Sequence, residues 1–184
     1  LVVRRFDLPV SDPVVVIAST HSDIPVGEFM RRGQTIETKS DERLLIKIGS
    51  DVLIAIDERS RIELSRLFLD ERIIKFPRGR IVIQNQNEVP VIVETNKTLS
   101  QVGKGKGIFI NYDFLQSVTI APVIGSIQTH LKGTQESLLL PVPISVKETT
   151  PPTFSKVSNN PTEGASATFH EWVDKEFDQY GKNP

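Results

Sequence analysis

Residues 43–56 read Arg43-Leu-Leu-Ile-Lys-Ile-Gly-Ser-Asp-Val-Leu-Ile-Ala-Ile56. Two apolar runs of strand length are separated here by a Gly-Ser-Asp turn sequence. Similar short runs, mostly alternating and closed by Gly, Asn, Asp or Pro, continue through residues 33–94. A spacing of about 8–12 residues between such runs is typical of sandwiches, barrels and short solenoids. We therefore predict an all-β fold with strands at 34–38, 43–48, 52–56, 61–64, 72–76, 79–83 and 89–93.

The β pattern extends in both directions from this stretch. A continuous apolar run at 14–18 has the length of a buried strand, and further runs follow at 108–110, 118–120, 127–131, 138–140 and 144–146. Residues 1–13 contain two prolines and are expected to form an extended N-terminal arm. The prediction is a single β domain over 14–148, folded as an antiparallel-rich β sandwich or as a short β-solenoid-like domain.

A change of composition follows this domain. Residues 149–167 are rich in Pro, Ser, Thr and Asn, which indicates a linker. Residues 168–181 then carry the pattern of an amphipathic helix, with Thr168 and Glu171 as a capping box and Gly181 as its stop. We therefore expect a C-terminal helix after a flexible connection.

One apolar stripe runs along this predicted helix and must be buried against something. Two interpretations remain open: the helix docks on the chain's own β domain, or it serves as an exported anchor for a partner. The N-terminal arm could likewise add an edge strand to another subunit. The candidate partner-binding residues are Val2, Val3, Phe6, Phe169, Trp172, Val173, Phe177 and Tyr180.

Composition narrows the classes of partner. The 184 residues hold 22 Lys plus Arg against 23 Asp plus Glu, so the chain has no broad positive field and we expect no nucleic-acid partner. No run reaches the roughly 20 apolar residues that span a bilayer. The chain begins at Leu1, which we interpret as a trimmed or processed chain whose membrane anchor or targeting segment is lost. Any membrane contact is expected only through such a segment.

The polar residues of the sequence show no catalytic or metal-binding pattern. The chain has no Cys, and His21, His130 and His170 lack metal-ligand spacing. The acidic pairs 41–42 and 57–58 are interpreted as solvated turn charges. No nucleophile motif is present. The Gly-rich run 103–107 leads into a strand and is interpreted as a hairpin rather than a phosphate loop. We expect no enzyme activity, no cofactor and no metal.

The order of short motifs resembles the FecR-type extracytoplasmic β domain over residues 26–147. The resemblance rests on Gly33-Gln-Thr-Ile-Glu-Thr38, Ser40, the strand 43–48 with Gly49-Ser50, Val52, and Ser60-Arg-Ile-Glu-Leu64. It continues in Phe76-Pro-Arg-Gly-Arg-Ile-Val-Ile83, in Val91 to Thr95 and in Ile124-Gly-Ser-Ile127. This resemblance implies an all-β fold, an extracytoplasmic location in the bacterial cell envelope or periplasm, and protein partners rather than substrates.

Three hypotheses about function follow. The first is a non-enzymatic envelope module for protein–protein interaction or structural assembly, which binds a protein partner or forms a homo-oligomer through its edges and arms. The second is the extracytoplasmic sensor domain of a membrane-anchored anti-sigma-type regulator. The third is a carbohydrate-binding β domain, the weakest of the three, because the chain has one Trp and two Tyr and only Tyr112 lies in the β region.

Overall fold

A computed structural model describes residues 12–112, 117–157 and 160–180 of the chain. These residues form β-strands, one 3-10 turn at Gly164–Ser166 and one α-helix. In chain order the elements are Val14–Thr20 (β1), Phe29–Met30 (β2), Thr35–Glu37 (β3), Arg43–Ile48 (β4), Val52–Ile56 (β5), Arg61–Leu67 (β6), Arg72–Asn85 (β7), Val91–Glu94 (β8), Thr98–Val102 (β9), Lys106–Tyr112 (β10), Ser117–Ile124 (β11), Ile127–Leu131 (β12), Ser137–Leu140 (β13), Ile144–Lys147 (β14), Thr153–Lys156 (β15) and Ala167–Tyr180 (α1).

The strands form two sheets that share β7. The first sheet has the order β2-β1-β4-β5-β7-β10-β11-β14-β15, and the second has the order β3-β6-β7-β8-β9-β12-β13. Among the described strand pairs β7–β8 is parallel and the others are antiparallel. The prediction of an all-β, antiparallel-rich fold is confirmed. Within the described residues each sheet ends in an outer strand on both sides and does not close into a barrel.

The main hydrophobic core lies between the two sheets. Alternate residues of each strand point inward, as the pleat of a strand requires. Ile46, Ile54 and Ile83 enter the core from the first sheet, and Ile62 and Ile74 enter it from the second. All five side chains are fully buried. Of the two architectures left open by the sequence, the structure has the packed sandwich.

Strand β7 crosses from one sheet to the other. Its N-terminal half pairs with β6 and β8, and its C-terminal half pairs with β5 and β10. The bend lies at Pro77 to Gly79, where Gly79 has φ +100°. A Cβ atom at Gly79 would lie 2.2 Å from Oγ of Ser60, so only glycine fits this crossing. The two strands predicted at 72–76 and 79–83 are therefore one bent strand.

The outer face of the first sheet is covered by α1. Strand β5 is apolar on both faces, and Leu45 of β4 adds to the apolar outer face. Small residues such as Ala55 and Ala121 leave space for the helix. Phe169, Val173 and Phe177 of α1 pack there in a second hydrophobic cluster with Leu45, Leu53, Val82 and Phe109. Isolated helices of this length are marginal in water, so this packing stabilises α1. No described helix is long and apolar enough to cross a membrane.

Three further features of the structure differ from the expectations drawn from the sequence. Strand β15 lies within 149–167, the segment interpreted as a linker, and pairs with β14 at the edge of the first sheet. Helix α1 begins at Ala167, so Thr168 lies inside the helix rather than capping it. The Gly-rich run 103–107 joins β9 of one sheet to β10 of the other, so it is a crossing between sheets and not a hairpin. The predicted stop at Gly181 lies outside the described residues.

Candidate functional site

A polar groove follows the bend of β7. It consists of two adjoining cavities, of about 290 Å³ and 470 Å³, which share Pro77 and Asn96 as lining residues. The guanidinium groups along it come from the start of β6 with its preceding turn, and from the β7 bend. We call this feature the arginine groove and define it by Arg59, Arg61, Arg78 and Arg80.

The strand register brings two of these arginines together. Arg61 lies directly opposite Arg78 in the β6–β7 pair, and like charges in such positions repel. Glu37 lies opposite Arg61 on the other side, in the β3–β6 pair. Its carboxylate forms an ion pair with Arg78. The guanidinium group of Arg61 makes no hydrogen bond or ion pair with the described residues, so Glu37 pairs with one of the two facing guanidinium groups.

The rest of the lining is mixed in charge and largely paired. Lys75 lies 3.2 Å from Glu63, and Lys132 lies 2.6 Å from Glu94. The hydroxyl group of Tyr112 donates a hydrogen bond to the carboxylate of Glu148, which also lines the groove. Because Tyr112 is only 6% exposed, its ring is not available as a stacking platform for a sugar. The structure therefore does not provide the aromatic face that a carbohydrate-binding domain needs at this position.

Three turns beside the groove hold non-glycine residues in the left-handed region. His21, Asp41 and Arg59 have φ values of 53°, 62° and 54°. Side chains connect these turns: the backbone N–H of Asp41 donates to Oε2 of Glu58 at 2.8 Å, and Nε of Arg59 donates to Oγ of Ser40 at 2.9 Å. Each such conformation costs about 1–2 kcal/mol, and surrounding contacts must hold it. The backbone that carries Arg59 is therefore fixed in place.

A buried carboxylate connects the groove to the helix. Asp57 is 1% exposed, and Nε of Arg43 donates to its Oδ1 at 2.9 Å. Nε of Arg80 lies 3.0 Å from Oδ2 in a charge contact without hydrogen-bond alignment. Arg80 also donates to the carbonyl oxygen of Ala165 at 2.6 Å, and Arg43 donates to Oγ1 of Thr168 at 3.1 Å. The two arginines thus hold the start of α1 against the sheet.

This arrangement corrects the interpretation of the acidic pairs as solvated turn charges. Asp57 and Glu42 are both buried, at 1% and 4% exposure. Glu42 accepts hydrogen bonds from the Ser22 hydroxyl and from the backbone N–H of Lys39. The sequence pattern placed both acids correctly beside turns, but most of their side-chain partners are distant in sequence, which a local pattern does not reveal.

His170 lies next to this cluster on the inner side of α1. Its ring packs edge-on against Phe109, with ring centroids 4.5 Å apart, and its Nε2 atom is buried without a hydrogen-bond partner. Burial lowers the pKa of His170 below its usual value. Asp174 and Asp57 act in the opposite direction on that pKa, and Arg80 lowers it further. The structure thus favours a neutral imidazole at this position.

The candidate partner-binding residues fall into three groups. Phe169, Val173 and Phe177 are buried against the chain's own sheet, which is the first of the two interpretations of α1. Trp172 and Tyr180 are half-buried at the margin of this contact, with Trp172 stacked on Phe169. Val2, Val3 and Phe6 lie outside the described residues. A partner-binding role for these eight residues stays a prediction.

Sequence reasoning missed the arginine groove, although a signal for it exists. Arg59-Ser-Arg61 and Arg78-Gly-Arg80 repeat the same spacing on two segments that pair in the fold. Two arginines close together on each of two paired segments concentrate positive charge at this place in the fold. Within the described ranges no group of three or more His, Cys, Asp or Glu residues could hold a metal ion.

Comparison with known proteins gives a likeness of fold. No protein-family model matches the chain, and no curated protein has a significantly similar sequence. Two crystal structures of a candidate anti-sigma factor from Parabacteroides distasonis ATCC 8503, at 1.65 Å and 2.50 Å resolution, each superpose with a TM-score of 0.60. The identities are 14% and 15%, and the match covers 76% of this chain. The chain spans 64% of the length of those solved chains.

Proposed function

We propose that this chain is the extracytoplasmic sensor domain of an anti-sigma-type regulator, built on a FecR-like β domain. The observation that carries the proposal is the fold shared with a candidate anti-sigma factor over 76% of the chain. The FecR-type motifs fall within the same β region, at residues 26–147. A fold alone does not determine function, so the contacts within the domain must supply a means of sensing.

A contact between the arginine groove and the start of the C-terminal helix provides this means of sensing. Arg80 lines the arginine groove and also donates a hydrogen bond to Ala165, in the 3-10 turn that leads directly into α1. A partner that draws the Arg80 guanidinium into the groove weakens the hold on α1, while the other polar contacts of the helix start remain with Arg43. A ligand shifts a conformational equilibrium by its difference in affinity for the two states. Binding at the groove is in this way converted into a change at the C-terminal helix.

The proposed mode of action is binding without catalysis. The groove is open and lined by guanidinium, amide and carboxylate groups, most of which pair with one another. An active site typically requires a nucleophile or a metal held beside a base in a water-excluding pocket. We therefore assign the domain protein partners rather than substrates, and a place outside the cytoplasm, in keeping with the FecR-type resemblance.

Transcript measurements in the host organism test this proposal. Deleting the coding region for residues 12–180 from the chromosomal gene should alter one co-regulated set of transcripts whose promoters share a recognition sequence for a single alternative sigma factor. The matched control is a strain in which the same region is replaced by an unrelated β sandwich of similar size. Unchanged transcripts, or changes without a common promoter sequence, would contradict the proposal.

A second candidate function is homotypic assembly in the envelope. The outer strands β13 and β15 carry Leu139 and Phe154, which are 67% and 43% exposed, and Val142 between them is 42% exposed. Exposed apolar residues beside free strand edges favour pairing with another chain. Light scattering over a concentration series should then show dimers that Leu139→Glu and Phe154→Glu disrupt. A chain that stays monomeric at all concentrations would contradict assembly.

A further inference from the structure

We propose that the arginine groove binds an acidic segment of a protein partner, with Asp or Glu carboxylates as the recognised groups. The inference rests on the proposed function only in taking the partner to be a protein. It concerns the recognition chemistry of the groove, which neither the fold likeness nor the motif resemblance assigns.

One guanidinium group of the groove, that of Arg61, has no partner in the described part of the chain. Arg61 and Arg78 lie opposite each other, and Glu37 pairs with Arg78 alone. The repulsion between two facing arginines destabilises the free domain and is relieved when an anion lies between them. Arg61 is exposed and its guanidinium group makes no polar contact with the described residues, so all five N–H donors of that group are available to a ligand.

The site already accommodates one carboxylate, that of Glu37. The ion pair of Glu37 with Arg78 shows that a carboxylate on an extended strand reaches these guanidinium groups from the outer face of the second sheet. Arg–carboxylate contacts are charge-assisted and can be bidentate, which gives them both strength and direction. A second carboxylate, from a partner, completes the pairing at Arg61.

The net charge of the chain favours an acidic peptide over a nucleic acid as the ligand. The chain has a formal net charge of -1, so it lacks the broad positive field that binds a phosphate backbone. Asn96 and Asn111 line the groove and can hydrogen-bond to the peptide backbone of the ligand.

The fixed backbone strengthens the site. Arg59 is held at φ 54° by its own turn, and its Nε donates to Ser40. Gly79 fixes the bend that carries Arg78 and Arg80, because no other residue fits beside Ser60. Binding therefore requires little ordering of the main chain, which lowers the entropic cost of association.

Titration calorimetry with a hexaglutamate peptide tests the inference on the full chain. The informative variant is R61Q combined with R78Q. The matched control is R66Q, because Arg66 is an exposed arginine on the same strand, ion-paired with Glu71 at 3.1 Å and not among the groove residues. Circular dichroism and thermal melting confirm that each variant is folded. Hexalysine and a single-stranded oligothymidylate serve as the other probes.

The expected result is that hexaglutamate binds more weakly as salt increases, and that the double variant loses about tenfold or more in affinity, equivalent to about 1.4 kcal/mol. R66Q should retain the wild-type affinity within about twofold. Three results would overturn the inference: no binding of hexaglutamate, equal losses in R66Q and the double variant, or tighter binding of oligothymidylate than of hexaglutamate. If hexaglutamate does not bind but the deletion strain shows the transcript response, only the inference about the groove is contradicted. If hexaglutamate binds but the deletion strain shows no transcript response, only the proposed function is contradicted.

Discussion

The Oδ1 atom of Asp57 accepts a hydrogen bond of 2.9 Å from Nε of Arg43, and this carboxylate is almost completely buried. Asp57 follows the last residue of β5, and Arg43 is the first residue of β4, so the pair joins the ends of two adjacent strands. Arg80 on the other side of Asp57 completes a cluster that holds α1. A buried charge of this kind is stable only while its partners are present.

Replacing Asp57 by Ala should lower the free energy of unfolding by about 3–5 kcal/mol, because two partly buried arginines lose their counter-charge. Urea denaturation measures this loss. Glu71→Ala is the control, since Glu71 and Arg66 form an exposed pair whose removal costs about 1 kcal/mol or less. Equal effects of the two substitutions would show that the Asp57 cluster does not stabilise the domain.

Gly79→Ala should destabilise the domain by about 2–5 kcal/mol, because it combines a left-handed backbone with a clash. The new Cβ would lie 2.4 Å from the Ser60 Cα, which is backbone and cannot rotate away. Gly105→Ala separates the two effects: Gly105 has φ +68° and open space around it, so only the backbone cost of about 1–2 kcal/mol applies. Chemical denaturation of both variants checks the difference, and equal losses would refute the proposed close approach to Ser60.

Strands β4, β5 and β9 show how far the sequence predicts the fold. The sequence predicts β4 and β5 at their observed bounds, because both consist largely of apolar residues and a clear turn separates them. Strand β9 was not recognised, since its inward residues Thr98 and Ser100 are polar. Their hydroxyl groups bond to partners inside the core, which hides the strand from any hydrophobic pattern.

The candidate site was harder to predict for a related reason. Pro77 and Gly79 indicate a turn in a local reading, whereas the structure uses them to bend one strand between two sheets. Once β7 is divided into two strands, Arg61 and Arg78 no longer face each other, and the groove disappears from the prediction. The apolar stripe of α1 was predicted correctly, but its packing against Phe109 depends on tertiary structure.

The pKa of His170 is lowered in the folded chain, so folding should become less favourable in mild acid. Below about pH 6.5 the unfolded chain binds a proton that the folded chain resists. The free energy of unfolding should therefore fall as the pH decreases from about 6.5 towards the lowered pKa, and level off below it. Urea denaturation at a series of pH values measures this slope.

His170→Phe should remove that part of the slope, because a phenyl ring keeps the contact with Phe109 and cannot be protonated. The difference between the two pH profiles isolates His170, since the carboxylates are common to both proteins. Identical profiles for the wild type and the variant would mean that His170 titrates normally and that its burial has no electrostatic consequence.

Phe169→Ala should loosen α1 and lower the free energy of unfolding by about 3–5 kcal/mol, because Phe169 is fully buried between the helix and the sheet. Trp172 is the only tryptophan and stacks on Phe169, so its fluorescence reports on the docking of α1. The emission should shift to longer wavelength in the variant. Phe29→Ala, at a position that is 69% exposed, is the control and should change neither quantity. An unshifted emission in Phe169→Ala would argue against docking of the helix.

The central claim is that the arginine groove transmits the presence of a protein partner to a sigma-factor response. The most direct measurement compares sigma-dependent transcripts in host strains that carry the wild-type gene, the R61Q and R78Q double variant, R66Q, or a deletion of residues 12–180. The account predicts that the double variant reproduces the transcript change of the deletion and that R66Q behaves as the wild type. A double variant that behaves as the wild type, while the deletion changes the transcripts, would contradict it.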